Sequence, residues 1–166
     1  MVIRKETITR RLEELDEVVQ ELSQYRFLAE TDLQSDLSQR WIIERGLIAA
    51  AALILDISDH IVSGHFGNYV DTYEDSLSVL REREVISEAL YQDIQGLGGF
   101  RNILVHLYQE INPALVWENY QKGLTVFPGL GKRCWPGWTA WKPNRVYNPA
   151  VLNSRTALGP FRSSPL

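Results

Sequence analysis

The segment that decides the fold is WIIERGLIAAAALILDI, which runs from Trp41 to Ile57. It is apolar on nearly every side of a helix except at Glu44, Arg45 and Asp56, a pattern typical of the central helix of a bundle. A membrane span is less favoured, because the uninterrupted apolar run after Arg45 is shorter than the roughly 20 residues that cross a bilayer. The segment therefore predicts a helix that other helices surround.

An amphipathic segment precedes this central helix. Apolar residues recur at three- and four-residue steps from Ile8 to Tyr25, which predicts a first helix. Thr31 or Asp32 can cap the second helix, which we expect to continue through the central segment. Two glycines, Gly64 and Gly67, are expected to end it.

Shorter helical segments are predicted after the central helix. They are Thr72 to Glu84, a helix capped by Ser87, a helix from near Phe100 to about Glu110, and Ala114 to about Lys122 after Pro113. Glycines interrupt the helix that Ser87 begins, at Gly96, Gly98 and Gly99. No stretch before Phe127 shows convincing strand alternation. The sequence therefore predicts an all-α, up-and-down bundle of four to five helices over residues 1–127.

Residues 128–166 differ in character from the bundle. The net charge is −4, yet the last acidic residue is Glu118, and seven basic residues follow it, six of them in residues 128–166. Six of the seven prolines and a cluster of tryptophans also lie there, at Trp135, Trp138 and Trp141. This predicts an irregular basic tail, typical of a disordered or altered C-terminus such as a shifted reading frame, and less typical of an arm that grips RNA.

Several classes of protein are not indicated. The charged, helix-patterned start lacks the apolar core of a signal peptide, so we expect a cytoplasmic protein that is not bound to a membrane. Cys134 is the only cysteine, which excludes an intrachain disulfide and a cysteine metal cluster within one chain. No glycine loop followed by lysine is present, so an ATPase is not indicated.

Four polar residues could carry chemistry in the segment Arg101-Asn102-Ile103-Leu104-Val105-His106-Leu107-Tyr108. On a helix, Asn102 and His106 share a face, while Arg101 and Tyr108 nearly overlie one another. We expect Arg101 near the start of its helix, where unpaired N–H groups favour an anion. A phosphate could be held there.

Cleaving RNA without a metal requires a base, an acid and a cation that stabilises the phosphorane. A histidine can serve as base or acid, and an arginine fork matches phosphate oxygens. Because the motif of one copy supplies a single histidine, two copies meeting across a two-fold axis are implied. Spacing alone favours a plainer alternative, in which Arg101 is a surface charge, His106 a core or interface residue and Tyr108 a half-buried aromatic residue.

The string GFRNILVHLY, from Gly99 to Tyr108, resembles the signature of the HEPN family in the Arg-x4-His-x-Tyr form of HepT-type toxins. The similarity extends to Glu44-Arg45 with the alanine-rich run, to Leu77 to Leu80, and to Glu110 to Val116. It covers roughly residues 1–127 and departs in the tail, where the family usually completes its last helix. The resemblance implies a HEPN-type bundle.

The resemblance also implies a function: the toxin of a type VII toxin–antitoxin system, a metal-independent endoribonuclease that needs no cofactor. Arg101 and His106 would be catalytic, Asn102 would support them, and a minimal nucleotidyltransferase antitoxin would silence the toxin by adenylylating the Tyr108 hydroxyl. RNA, the antitoxin and a second copy of the chain are the implied partners. The alternative is a non-catalytic HEPN protein that uses the same residues to bind a nucleotide or a nucleotidyltransferase partner.

Other charged residues support weaker hypotheses. Glu44 and Arg45 either line the cleft or form an ion pair that supports the bundle. Asp56 and His60 share a helix face and could ligate a metal, but no second pair accompanies them, and the helix C-terminus explains His60 more simply. His65 supports no assignment.

Overall fold

The computed structural model describes residues 5–106, 111–130 and 161–162. The α-helices of these residues are α1 Lys5–Gln24, α2 Glu30–Ser35, α3 Leu37–Phe66, α4 Tyr73–Glu82, α5 Glu88–Ile94, α6 Leu97–His106 and α7 Pro113–Val126, and a 3-10 turn, Phe127–Gly129, follows. Within the described residues there is no strand, so the all-α prediction is confirmed. The described residues contain seven α-helices, of which α2 and α5 are the shortest.

The central position of α3 explains its apolar sequence. It packs against α1, α2, α4, α6 and α7. Near its start, a Cβ at Gly46 would lie 2.4 Å from the Leu22 side chain of α1, and further along, Asp56 pairs with Arg11 of α1. Because a late residue of α1 meets an early residue of α3, the two helices run antiparallel. By length and composition alone α3 could cross a membrane, but half of its most apolar stretch is buried in the bundle.

The start of the central helix differs from its prediction. We expected one continuous helix capped by Thr31 or Asp32, but the chain breaks at Asp36 between α2 and α3. The Asp36 carboxylate accepts hydrogen bonds from the backbone N–H groups of Ser38 and Gln39, at 2.9 and 3.1 Å. These bonds satisfy two of the donors that a helix start leaves unpaired, so Asp36 is the cap of α3.

Some of the other predicted helix ends are found where the sequence placed them. Gly67 ends α3 in the left-handed conformation with φ 65°, while Gly64 lies inside the helix. The Ser87 hydroxyl caps α5, as predicted. Thr72, which we expected as the first residue of its helix, is the cap of α4. Pro113 occupies the first turn of α7, as expected. These local signals therefore fixed the ends of three helices correctly.

Only residues 128–130 and 161–162 of the predicted tail are described, so Trp135, Trp138 and Trp141 lie outside the described residues. Leu130 and Phe161 are both buried, at 2% exposure each. The division of the chain at residue 127 stays a prediction. Phe161 and Arg162 nevertheless pack on the bundle, in contacts that composition alone did not indicate.

Candidate active site

Helix α6 carries the described part of the Arg-x4-His motif. Its apolar face, formed by Leu97, Phe100 and Leu104, is buried and holds the helix against α3. On the rest of the helix Arg101 is partly exposed, and Asn102 and His106 are exposed. The plainer alternative of a core histidine does not fit this exposure. Arg101, Asn102 and His106 can therefore meet a molecule from solution.

Arg101 is oriented by its neighbour. Its Nη1 donates a hydrogen bond to Oδ1 of Asn102, at 3.2 Å. A guanidinium carries five N–H donors, so the remaining ones can bind an anion. Among the residues that the structure describes, no carboxylate lies within ion-pair distance of Arg101. Its positive charge is thus not neutralised by any of them.

The predicted anion site at the helix start is wrong. We placed Arg101 near the beginning of a helix that resumes at Phe100, but α6 begins at Leu97. The Phe100 N–H already bonds to the Gly96 carbonyl, at 2.9 Å, and the Gly96 N–H donates to the Glu74 carboxylate at 2.7 Å. Arg101 therefore lies one turn inside the helix, and a carboxylate already faces the helix start. Anion binding at Arg101 has to rely on side chains.

Two further expectations about this helix concern residues 107–110. Tyr108 lies outside the described residues, as does the predicted end of the helix near Glu110. The four-residue spacing places Asn102 and His106 on one face of α6, as predicted. The position of Tyr108 along the Arg101 row stays a prediction.

Glu44 forms an ion pair, but with a different arginine from the one expected. Its Oε1 lies 3.3 Å from Nε of Arg40, one turn earlier on α3, while Arg45 is exposed. Glu44 is buried, and burial raises the pKa of its carboxyl while the Arg40 charge partly opposes the rise. Sequence reasoning missed Arg40, although the four-residue spacing to Glu44 was a usable signal. Both residues belong to α3, so the ion pair joins two successive turns of this helix.

The other candidates have structural roles or none. Asp56 accepts a hydrogen bond from Nη1 of Arg11 at 2.6 Å, which explains this carboxylate without a metal. His65 meets the neighbouring Phe66 ring edge-on at 4.7 Å. In the part of the chain that the structure describes, no three potential metal ligands lie together. The motif on α6 is therefore the best candidate site.

Comparison with known families agrees with this fold. Residues 8–130 match the family described as Ribonuclease HepT-like. The chain belongs to the ribonuclease HepT-like family. The matched range includes most of α1, all of α2 to α7 and the whole Arg-x4-His-x-Tyr motif. The predicted HEPN fold of the HepT type is therefore confirmed for this ribonuclease HepT-like protein.

One curated relative is named as a nuclease. The tRNA nuclease HepT of Aphanizomenon flos-aquae (strain 2012/KM1/D3) is 28% identical to this HepT-like chain over 121 residues. The alignment covers 73% of this chain and 82% of the relative. The similarity thus extends over most of both proteins.

Solved structures share the fold. A toxin–antitoxin crystal structure with AMP-PNP superimposes with a TM-score of 0.70 at 20% identity, covering 80% of this chain and 100% of that one. The tri-AMPylated Shewanella oneidensis HEPN toxin in complex with MNT antitoxin gives 0.67 at 22% identity, covering 75% and 93%. YutE, a cytosolic protein of unknown function from Bacillus subtilis, gives 0.66 at 18% identity, covering 81% and 90%. At these identities the likeness concerns the HepT-like fold alone.

Proposed function

We propose that this chain is the toxin of a type VII toxin–antitoxin system and a metal-independent endoribonuclease whose catalytic residues are Arg101 and His106. The observation that carries the proposal is the position of these two residues on the solvent side of α6, in a chain of the ribonuclease HepT-like family. The tRNA nuclease activity named for the cyanobacterial relative supports RNA as the substrate class.

In RNA cleavage, a bond from the ribose 2′-oxygen to phosphorus forms and the bond from phosphorus to the 5′-oxygen breaks. His106 takes the proton of a ribose 2′-OH, and the resulting oxygen attacks the adjacent phosphorus. The Arg101 guanidinium binds the non-bridging oxygens and stabilises the added negative charge. The bond to the 5′-oxygen then breaks, and this oxygen takes a proton. The products are a 2′,3′-cyclic phosphate and a 5′-hydroxyl.

The second proton is the reason for proposing a dimer. His106 is the only histidine in the motif, so the acid that protonates the 5′-oxygen is assigned to the same histidine of a second copy. Two copies related by a two-fold axis would place both motifs at one groove. Light scattering at micromolar concentration tests this assembly, and a monomer that keeps full nuclease activity would contradict it.

Asn102 and Tyr108 receive supporting roles. The 3.2 Å hydrogen bond to Asn102 restrains the Arg101 guanidinium, which supports Asn102 as a positioning residue. Tyr108 is proposed as the residue that an antitoxin nucleotidyltransferase adenylylates. An adenylate adds about one negative charge, and beside Arg101 it would oppose the incoming phosphate by roughly 1–4 kcal/mol. The tri-AMPylated toxin among the solved structures supports this type of regulation.

Incubation of the purified protein with total RNA in the presence of a chelator tests the nuclease proposal. We expect cleavage with 2′,3′-cyclic phosphate ends, and a loss of about 100-fold or more in Arg101→Ala and His106→Ala. Arg10→Ala and His65→Ala are matched controls, because both residues are exposed and lie outside the motif. RNA that is cut only after magnesium is added would contradict the mechanism, and binding without any cleavage would favour the non-catalytic alternative.

Tyr108→Phe tests the proposed regulation separately. The variant should remain an active nuclease, because phenylalanine keeps the ring, but it should escape neutralisation by the antitoxin when ATP is present. Intact-mass analysis after incubation with antitoxin and ATP measures the modification. An adenylate that maps to another tyrosine, such as Tyr91 or Tyr120, would show that the assignment of Tyr108 is incorrect.

A further inference from the structure

Phe161 and Arg162 make contacts of the kind that a bound peptide makes. The Phe161 N–H donates to the carbonyl of Gln95, at 3.0 Å, in the turn between α5 and α6. The Phe161 carbonyl lies so close to Gly96 that a Cβ there would be 2.4 Å from the oxygen. Gly96 also has a φ of +81°, which favours glycine. The turn thus accepts a main chain at a distance that other residues would prevent.

The next residue is held by a buried side-chain amide. Asn119 of α7 is 1% exposed, and its Nδ2 donates to the carbonyl of Arg162 at 3.2 Å. Its Oδ1 accepts from the Arg162 N–H at 3.3 Å. One amide thereby satisfies both main-chain groups of a single residue. Both bonds are lost if the segment leaves.

The two side chains give the contact its selectivity. The Phe161 ring is 2% exposed and lies parallel to the Phe127 ring, with 5.6 Å between centroids. The Phe100 ring lies 6.0 Å away, and Nζ of Lys122 lies 4.5 Å from the Phe161 centroid. Nη1 of Arg162 lies 3.2 Å from the Glu118 carboxylate. An aromatic residue followed by a basic one therefore matches the surroundings.

We propose that Gln95, Gly96, Phe100, Asn119 and Phe127 form a peptide-docking groove, which binds an aromatic–arginine pair of residues and is filled here by the chain's own Phe161 and Arg162. Main-chain hydrogen bonds supply register, and the ring supplies most of the apolar contact. The docked segment joins the turn before α6 to α7, two elements that are otherwise separate in the sequence.

Docking in the groove also positions the helix of the proposed active site. The Gln95–Gly96 turn leads directly into α6, and Phe100 precedes Arg101 in the sequence. Phe161 contacts both the turn and the Phe100 ring, so it restrains the first turn of α6. Phe161 is thus a positioning residue for Arg101, and this part of the inference rests on the proposed nuclease function.

Binding in trans tests the groove without any reference to nuclease activity. The probe is a fluorescein-labelled peptide of residues 158–166, LGPFRSSPL, and the receptor is the full chain carrying Phe161→Ala. Because its own segment no longer competes at the millimolar effective concentration of a tether, the variant should bind the peptide at least tenfold more tightly than the wild type. Fluorescence anisotropy measures both affinities.

Matched controls identify the contacts. The same peptide with Phe161→Ala should not bind, and Asn119→Ala introduced into the Phe161→Ala chain should weaken binding roughly tenfold or more. Phe27→Ala removes a phenylalanine that is 77% exposed, and it should behave like the wild type. If Phe161→Ala loses its helical circular dichroism, Phe161→Leu takes its place, and the same order of affinities is expected.

Equal binding to the wild type and the variant, or no binding to a folded variant, would overturn the groove. Hydrogen exchange measures the effect on α6: the peptide should slow exchange in residues 97–101 of the variant and leave residues 8–20 of α1 unchanged. The peptide should also restore RNA cleavage to Phe161→Ala and not to His106→Ala. Binding and protection without any cleavage by the wild type would refute the proposed function and leave the groove intact.

Discussion

Lys122 offers a quantitative test of how the bundle tolerates a buried charge. This α7 residue is 3% exposed. Burial lowers the pKa of its ammonium from 10.5 to about 8, and the charges of Asp93 and Glu118 partly oppose the shift. The folded state therefore holds the proton less tightly than the unfolded state does. At pH 7 the side chain is charged in both states, so the full cost of burying the charge is present.

The substitution Lys122→Met removes the charge and keeps a long, apolar side chain. The lowering of the pKa from 10.5 to about 8 corresponds to a cost of roughly 3 kcal/mol for burying the charge, and the variant avoids this cost. The variant also loses the attraction between the ammonium and the Phe161 ring, which is worth about 1 kcal/mol. We therefore expect the variant to be more stable than the wild type by about 1–3 kcal/mol at pH 7. As the pH rises from 8 to 10.5, the wild type should become as stable as the variant, because Lys122 loses its proton in the folded state at a lower pH than in the unfolded state.

Urea denaturation of both chains at pH 7, 8.5 and 10 measures the difference in free energy of unfolding. Burial also raises the pKa of Tyr120, but both chains contain this residue, so its contribution cancels in the difference. A Lys122→Met chain that is less stable than the wild type by the same amount at every pH would refute the reasoning. The attraction to Asp93 and Glu118 would then outweigh the cost of burial.

Three further substitutions test contacts of the fold. Gly96→Ala should destabilise the protein by about 1–3 kcal/mol in thermal melts, because Gly96 has a positive φ and lies close to Phe161. Gly98→Ala is the control and should cost little, because a Cβ at Gly98 would lie 3.5 Å from its nearest neighbouring atom. Tyr120→Phe removes a buried 2.7 Å hydrogen bond to a backbone carbonyl of α1 and should cost about 1–2 kcal/mol in urea denaturation; an unchanged stability would contradict that. Asp36→Ala should cost about 1 kcal/mol, and Asp36→Asn should restore most of it if capping is the cause.

The features that the sequence predicted correctly depend on neighbouring residues. Thr72, Ser87 and Gly67 end or begin helices through bonds and backbone conformations within a few residues of themselves. The central position of α3 likewise follows from its own apolar sequence. Such signals are present in any short stretch of the chain, so they can be recognised before the fold is known.

The features that were predicted wrongly depend on distant residues. Several residues before α3 can cap a helix, and the break falls at Asp36, where α2, with Leu33 buried, packs against α7. At α6 the carboxylate of Glu74, from another helix, takes the Gly96 N–H, so the helix begins before Phe100. Neither contact can be recognised from the neighbouring residues in the sequence. The burial of Phe161 belongs to the same class.

The candidate site divides in the same way. The spacing of Asn102 and His106 fixed their common face, and the resemblance singled out Arg101. Exposure could not be predicted, because it depends on which face of α6 packs against α3. The partner of Glu44 was within reach of the sequence, since Arg40 lies one helical turn away.

The contact between Phe161 and Phe100 can form only late in the synthesis of the chain. During synthesis Phe161 follows Phe100 by about sixty residues, which at ordinary rates of translation takes roughly 3 to 12 s. The Gln95–Gly96 turn and the helix that carries Arg101 and His106 thus leave the ribosome seconds before their anchor is made. Each newly made chain passes through an interval in which this helix exists without the contacts of Phe161.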